Sequence, residues 1–305
     1  MIKNFLTIAE ISRKDIRDIL SLAERLKKGL IKIKKVLKEK NIVIFFQKPS
    51  LRTRISLECA IDKLGGNSIF LTDNEVGLGK REIAKDVILD LNRFVDGIIA
   101  RVYNHKDLEQ MVRYAEIPVI NALSDLEHPL QALADLLTIK EKKGKLKGLN
   151  LGFIGYGDNV PISLLFASIK FGINFSIASS PNYSIPLSIQ EKARIQASQT
   201  KAKILFLSEP DLVARNADIL YTQQFVPMGK EKEANKIRKA FKKFSVTKEL
   251  LKLAKRDVIF MHCLPAYRGE EVTNDIIDSQ LSIVFDQAEN RLWTTIALFI
   301  KIYGT

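Results

Sequence analysis

The run Asn41 to Gly66, NIVIFFQKPSLRTRISLECAIDKLGG, constrains this chain more than any other stretch. Asn41 to Gln47 is a short block of Ile, Val and Phe of strand length, apolar on both faces, as a buried parallel strand must be. Lys48-Pro49-Ser50 ends it, because Pro49 has no N–H for a ladder and Ser50 is a good helix N-cap. Ile55, Leu57, Ala60, Ile61 and Leu64 then recur at helical spacing, and Gly65-Gly66 marks the stop. A helix opening at Ser50-Leu51-Arg52-Thr53 presents unpaired backbone N–H groups and the positive end of its dipole, to which Ser50, Arg52 and Thr53 add side-chain donors. Strand, tight loop and helix together form either a seat for a phosphate or simply a capped helix with two exposed arginines, and the rest of the chain decides between them.

The rest of the chain repeats the alternation. Strands are expected at 67–71, 96–102 and 117–121, then at 149–154, 175–178, 204–207, 219–222, 258–262 and 283–285. Two helices are expected within 7–39, others from near Ile83, from His128 to Lys143 and from about Asn290 to Tyr303. Strands and helices in this order predict an α/β fold with two doubly wound, mostly parallel-sheet domains joined by bridging helices. The polar turn Lys143 to Gly148 sets the boundary: residues 1–145 form one domain, and 146–289 the other. In such sheets ligands bind beyond the carboxyl ends of the strands, where Ser50, Arg101 and Asn121 fall. His128 and Gln131, three apart in the first turn of a helix opened by Pro129, share a face.

Composition narrows the classes. The chain has 305 residues, 46% of them hydrophobic, and no apolar run of the roughly 18 residues that a membrane span needs. The N-terminal MIKNFLTIAEISRKD enters amphipathic pattern without a secretory leader, and Cys59 and Cys263 show no pairing pattern, so a soluble protein of a reducing cytoplasm is expected. A formal charge of +13 raises nucleic-acid binding. The lysines are dispersed and interleaved with apolar or acidic residues, as on solvated helix faces, so no nucleic-acid or membrane partner is expected. Gly155-Tyr156-Gly157-Asp158-Asn159-Val160 after a strand raises a second alternative, a nicotinamide-dependent oxidoreductase. Val160 in place of the third glycine, and Ser179-Ser180 where an acidic ribose ligand belongs, count against it.

Ser50-Leu51-Arg52-Thr53-Arg54 resembles the S-T-R-T-R phosphate-binding segment of the aspartate/ornithine carbamoyltransferase family, with Leu51 in place of the usual Thr. Further matches follow in order: Arg101, His128 to Asp135, Gly157 to Val160, Met228-Gly229, His262 to Pro265 and Asp286 to Arg291. The resemblance spans almost the whole chain and is closest to the ornithine branch, because Cys263 is absent from the aspartate enzymes. It implies transfer of the carbamoyl group of carbamoyl phosphate to the side-chain amine of L-ornithine, giving citrulline and phosphate in arginine metabolism. It also implies that helix 290–305 returns to the first domain, a homotrimer, and no metal or organic cofactor. For carbamoyl phosphate it implies Ser50, Leu51 through its backbone N–H, Arg52, Thr53, Arg101, His128, Gln131 and Arg291. Arg101, His128 and Thr53 would polarise the carbonyl and Gln131 would orient the carbamoyl NH₂. For the acceptor it implies Asn159, Gln223, Met228, Cys263 and Leu264, with Cys263 also at the catalytic centre. An amine with a pKa of roughly 10 must lose its proton before attack, and the departing phosphate can take one up.

Two departures qualify this. Where the family has D-x-x-x-S-M-G, this chain has Gln223 to Gly229, with Gln223 for the carboxylate that pairs with the acceptor's α-ammonium and Pro227 for the serine. Losing a charge-assisted hydrogen bond would weaken binding of free ornithine, or signal another acceptor such as an acylated ornithine or a polyamine. Gly77 stands where the family often has a Gln reaching into a neighbouring subunit, a role Lys80 could take over. A paralogue that binds carbamoyl phosphate without turning it over is the remaining alternative.

Overall fold

The computed structural model describes residues 2–79, 81–227 and 229–304. In chain order the elements of the first half are α1 (Arg13–Lys27), β1 (Asn41–Phe46), α2 (Leu51–Lys63), β2 (Asn67–Thr72), α3 (Asp73–Val76), α4 (Ala84–Phe94), β3 (Gly97–Arg101), α5 (His105–Tyr114), β4 (Val119–Leu123) and α6 (Pro129–Lys143). The second half runs β5 (Asn150–Ile154), α7 (Asn159–Phe171), β6 (Asn174–Ala178), α8 (Leu187–Thr200), β7 (Ile204–Leu207), α9 (Pro210–Ala214), β8 (Ile219–Thr222), α10 (Ala234–Phe241), α11 (Lys248–Leu251), β9 (Ile259–His262), α12 (Asn274–Ile277) and α13 (Val284–Tyr303). The chain divides into two compact units, Met1–Leu137 with Glu289–Thr305, and Thr138–Ala288.

The sheet of the first unit has the order β2-β1-β3-β4, with every neighbouring pair parallel. Both faces are covered, so β1 and β3 have no polar stripe: Ile42, Val43, Ile44, Phe45 and Phe46 are all buried. Val43, Phe45, Ile98, Ala100 and Val119 pack with Ile88, Leu108 and Met111 in one core. The second unit has the order β7-β6-β5-β8-β9, again wholly parallel. Ile154, Ala178, Leu220 and Phe260 join an aromatic group in which Phe241 stacks on Phe225 with centroids 5.0 Å apart and meets Phe244 edge-on at 5.1 Å. The α/β architecture of two doubly wound parallel sheets is therefore as the alternation predicts.

In each sheet the winding direction reverses once, between β1 and β3 and between β5 and β8. Loops leaving the carboxyl ends of such a strand pair diverge to opposite faces and open a crevice, so these two places are where ligands are expected.

Two expectations fail locally. Residues 7–39 hold one helix rather than two: α1 closes at Lys28, Gly29 follows at φ +67°, and 28–40 contains turns and irregular chain. The Ile31 and Ile33 positions alternate with lysines at period two, which offers a helix no continuous apolar face. Residues 283–285 are not a strand. Contact with β9 there is a single parallel bridge, Phe260 to Ser282, and α13 begins at Val284 rather than near Asn290, with Val284 buried and Phe285 exposed.

Candidate active site

At the reversal point of the first unit, Ser50 caps α2, its Oγ accepting from Thr53 N at 3.4 Å. The first turn of α2 carries no acidic side chain of its own to offset the positive end of its dipole. Leu51 is 71% exposed, leaving its backbone N–H as the group that can serve an anion. Arg52 lies half-buried in the same turn, whereas Arg54 turns away, its Nε donating to Glu58 at 2.9 Å and its guanidinium lying 3.7 Å from the Phe70 ring centroid. Lys48, just before the cap, is buried against Tyr103, 4.5 Å from the ring centroid.

Thr53 is buried, and its Oγ1 accepts from Arg291 Nη2 at 2.9 Å. The other terminal nitrogen of Arg291 donates to Gln131 Oε1 at 2.8 Å and lies 3.5 Å from His128 Nε2. Gln131 in turn donates from Nε2 to Asp135 Oδ1 at 2.9 Å. Arginine can only donate and a carboxylate only accept, so these two partners fix which way the Gln131 amide faces. Three separate stretches, the start of α2, the start of α6 and the second turn of α13, are thereby tied together through Arg291. Arg101 ends β3, buried, at a register shift in which Ala100 faces Asn121 and Arg101 faces Leu123. A bulge of this kind re-aims a side chain.

The electrostatics follow. His128 is buried, and burial first, then the positive charges of Arg291 and Arg101, hold its pKa well below the usual histidine range. At neutral pH it is an uncharged imidazole among cations. Glu127, next to it, is buried and receives the backbone N–H of Ile8 at 2.7 Å and of Ala9 at 3.3 Å, which fixes the chain entering α6. Asn121, expected at the ligand edge, instead lies within β4 and is fully buried, its Nδ2 donating to Leu6 O at 2.8 Å, a structural role.

At the reversal point of the second unit, β5 leads into Gly155 to Asp158 and β8 into Gln223. Thr222 Oγ1 ties the strand ends together by donating to Ile154 O at 2.7 Å. Gly157 is demanded by close approach: a Cβ there would lie 2.2 Å from Ile185 N and 2.5 Å from Ser184 C. Protein backbone thus fills the side on which a dinucleotide would need a bare glycine, and Ser179 donates from Oγ to Gly155 O at 2.6 Å. Both features oppose the oxidoreductase alternative. Gln223 is buried and donates from Nε2 to Asp158 Oδ1 and, at 3.4 Å, to Tyr156 O. Asn159 is the first residue of α7, half-buried beside Asp158. Met228 and Lys80 lie outside the described residues. Gly77 sits at φ +65°, with the space a Cβ would fill 2.8 Å from Arg81 Cβ, so a glutamine there would be strained.

On the neighbouring strand β9, His262 is buried and its Nδ1 accepts from Leu264 N at 2.8 Å. That acceptor role puts the ring proton on Nε2, which donates to Glu271 Oε1 at 3.2 Å. The same oxygen accepts from Tyr267 N at 2.6 Å, so Cys263 and Leu264 sit in a turn held at both ends. Leu264 is held at φ +54°, a conformation L side chains rarely adopt, against the His262 contact.

Thr53, His128, Gln131 and Arg291 are thus joined by direct contacts, with Ser50 linked through the α2 cap. Gln223 meets Asp158, and Cys263 and Leu264 share one turn. Lys48, Glu127, Asp135, Asp158 and Glu271 were not selected from sequence. Asp135 lay inside the matched His128 to Asp135 block, and Asp158 inside the glycine motif, so both had a signal, whereas Glu271 had none. Among the described residues no group of three or more His, Cys, Asp or Glu could hold a metal ion, and no helix is long and apolar enough to cross a membrane.

Two family models match in tandem. The aspartate/ornithine carbamoyltransferase carbamoyl-P binding domain covers residues 3–141, and the aspartate/ornithine carbamoyltransferase Asp/Orn binding domain covers 147–302. The chain is 44% identical over 304 residues to the ornithine carbamoyltransferase of Thermococcus kodakarensis, covering 99% of this chain and 96% of that one. It is 42% identical over 301 residues to that of Methanocaldococcus jannaschii, with 98% and 99% covered. The solved structure of ornithine carbamoyltransferase from Pyrococcus furiosus superposes with a TM-score of 0.95 at 42% identity, covering 99% of this chain and 97% of that one. These two family models in tandem and the full-length matches place the chain in the aspartate/ornithine carbamoyltransferase family.

Proposed function

We propose that the protein transfers the carbamoyl group of carbamoyl phosphate to the Nδ amine of L-ornithine, releasing citrulline and phosphate. The observation that carries this reading is the Arg291 network on the first unit, where one buried guanidinium holds Thr53 and Gln131 and lies beside a neutral His128 next to a capped, cation-rich helix start. Ser50, the Leu51 N–H, Arg52 and Thr53 cradle the phosphate dianion. Arg101, His128 and Thr53 point donors at the carbonyl oxygen as negative charge develops on it, and an uncharged imidazole can donate there without adding a further cation. Gln131 aligns the carbamoyl NH₂, with Arg291 holding its amide in place.

The neutral amine attacks the carbonyl carbon, the carbon–oxygen bond to phosphate breaks, and the leaving phosphate accepts the proton that the amine nitrogen loses. Asn159, Gln223, Met228, Leu264 and Cys263 hold the acceptor, with Cys263 beside its reacting end. Residues 1–145 with helix 290–305 are the carbamoyl-phosphate domain and 146–289 the acceptor domain, close to the two compact units of the fold. The protein works in the cytoplasm as a homotrimer without a metal or organic cofactor. Support for assembly comes from α2 and the edge strand β2, where Leu51, Ile55 and Ile69 are exposed apolar side chains. A sedimentation measurement giving a fully active monomer would refute the trimer.

The direct test is product formation from carbamoyl phosphate with L-ornithine, beside L-aspartate, putrescine and Nα-acetylornithine. Citrulline from ornithine at the highest kcat/KM is the expected result. Preference for another amine would reassign the acceptor, and no product with any amine would leave a carbamoyl-phosphate-binding paralogue.

A further inference from the structure

The acceptor crevice of the second unit holds one arrangement that the substitution at position 223 does not reveal by itself. Gln223 removes a carboxylate from the loop after β8, yet its Nε2 donates to the carboxylate of Asp158, in the loop after the adjacent strand β5. Asp158 is the N-cap residue of α7, a position where an aspartate ordinarily accepts from the N–H of the helix's first turn. Here no such side-chain cap bond forms, and the backbone departs from the usual extended cap, at φ −102° and ψ −146°. The carboxylate instead meets the Gln223 amide at the strand reversal point, with Asn159 following it on the helix.

We propose that Asp158 supplies the negative charge of the amino-acid head-group subsite, receiving the acceptor's α-ammonium, and that Gln223 positions it. This rests on the reading of the protein as an ornithine carbamoyltransferase and names which residue recognises the acceptor's cationic end. A carboxylate accepts at two oxygens with about four lone-pair positions, so one group can hold an amide and an ammonium together. The residue at 223 is neutral for a physical reason: an aspartate there would face Asp158, and two carboxylates sharing a site cannot both stay ionised without cost. Charge has moved from one side of the crevice to the other, and specificity for a free α-amino acid is kept.

The test is a charge swap read by steady-state kinetics, with ornithine and carbamoyl phosphate varied in turn. Asp158→Asn is expected to raise KM for ornithine roughly tenfold or more, the worth of a charge-assisted hydrogen bond, with the KM for carbamoyl phosphate held within about threefold as evidence of an intact fold. Gln223→Asp alone is expected to bring no gain in kcat/KM for ornithine, and Asp158→Asn/Gln223→Asp to recover most of what Asp158→Asn lost. An unchanged ornithine KM in Asp158→Asn, a gain in Gln223→Asp alone, or a double variant no better than Asp158→Asn would each overturn the assignment. A wild-type protein that makes no citrulline would instead refute the underlying function, before any variant is compared.

Discussion

The two strand reversal points differ in the sign of what they display. On the first unit the crevice between β1 and β3 has Lys48, Arg52 and the open end of a helix dipole at the start of α2, Arg101 at the end of β3 and the Arg291 network, with the Asp135 carboxylate accepting from Gln131 and that of Glu127 from the backbone of Ile8 and Ala9. On the second unit the crevice between β5 and β8 gathers Asp158, Asn159 and Gln223, and Glu271 stands behind the neighbouring turn. The same topology thus carries cationic side chains at one crevice and a carboxylate with side-chain amides at the other. Winding chooses where a ligand sits, and the side chains on the loops choose its charge.

The sharpest way to break this contrast is to remove the guanidinium that joins the first crevice. Arg291→Ala is expected to lower kcat/KM with carbamoyl phosphate by roughly 10²–10³, as loss of a charge-stabilising donor does. Gln131 Oε1 and Thr53 Oγ1 lose their donor, so denaturant unfolding should show a loss of about 1–3 kcal/mol. Wild-type turnover in this variant would remove Arg291 from the site.

On the second unit, Glu271→Ala removes the partner of His262 Nε2 and of Tyr267 N. The expected cost is about 1–3 kcal/mol in stability, together with a raised KM for ornithine but not for carbamoyl phosphate. Equal movement of both KM values would show that the turn is not specific to the acceptor.

His128 gives a pH test of the first crevice. Its folded pKa lies below the unfolded value, so the unfolded chain binds the proton more readily. The stability tied to its neutral form is fully present above about pH 6.5 and is lost as pH falls from there toward the depressed folded value. His128→Gln should therefore flatten the fall in urea midpoint over that acidic window relative to wild type. A parallel fall in both proteins would mean His128 titrates normally. The smallest effect is expected from Cys263→Ser, a near-isosteric change at a half-buried position, with ornithine kcat altered by less than about threefold. A much larger loss would give the thiol a direct chemical part.

The fold was legible because its strands are short apolar runs punctuated by Gly, Pro and capping residues, and β1, β5 and β8 lie within a residue of where the pattern puts them. Errors arose where apolar residues were sparse or ambiguous. The 28–40 segment resembles helix in composition but alternates at period two, and Ile283 to Phe285 is too short for periodicity to tell strand from helix start. In the first crevice, side chains named from the resemblance are in mutual contact: Thr53, His128 and Gln131 sit at helix starts that sequence spacing identifies, whereas Arg291 lies in the second turn of a helix that begins at Val284, six residues before the Asn290 that spacing gives it. Asp158 is masked in the sequence by the glycines around it, which carry the stronger local signal. That its carboxylate meets Gln223, 65 residues away in the chain, follows only from the pairing of β5 with β8.

The most direct measurement of the central claim is a crossed pair of KM determinations in citrulline formation, one variant from each crevice. Arg52→Gln on the first unit and Asp158→Asn on the second should separate, the former raising KM for carbamoyl phosphate and the latter KM for ornithine, each by roughly tenfold, with the other constant within about threefold. Both variants shifting the same constant, or neither shifting any, would contradict the division of the two substrates by the charge of the two crevices.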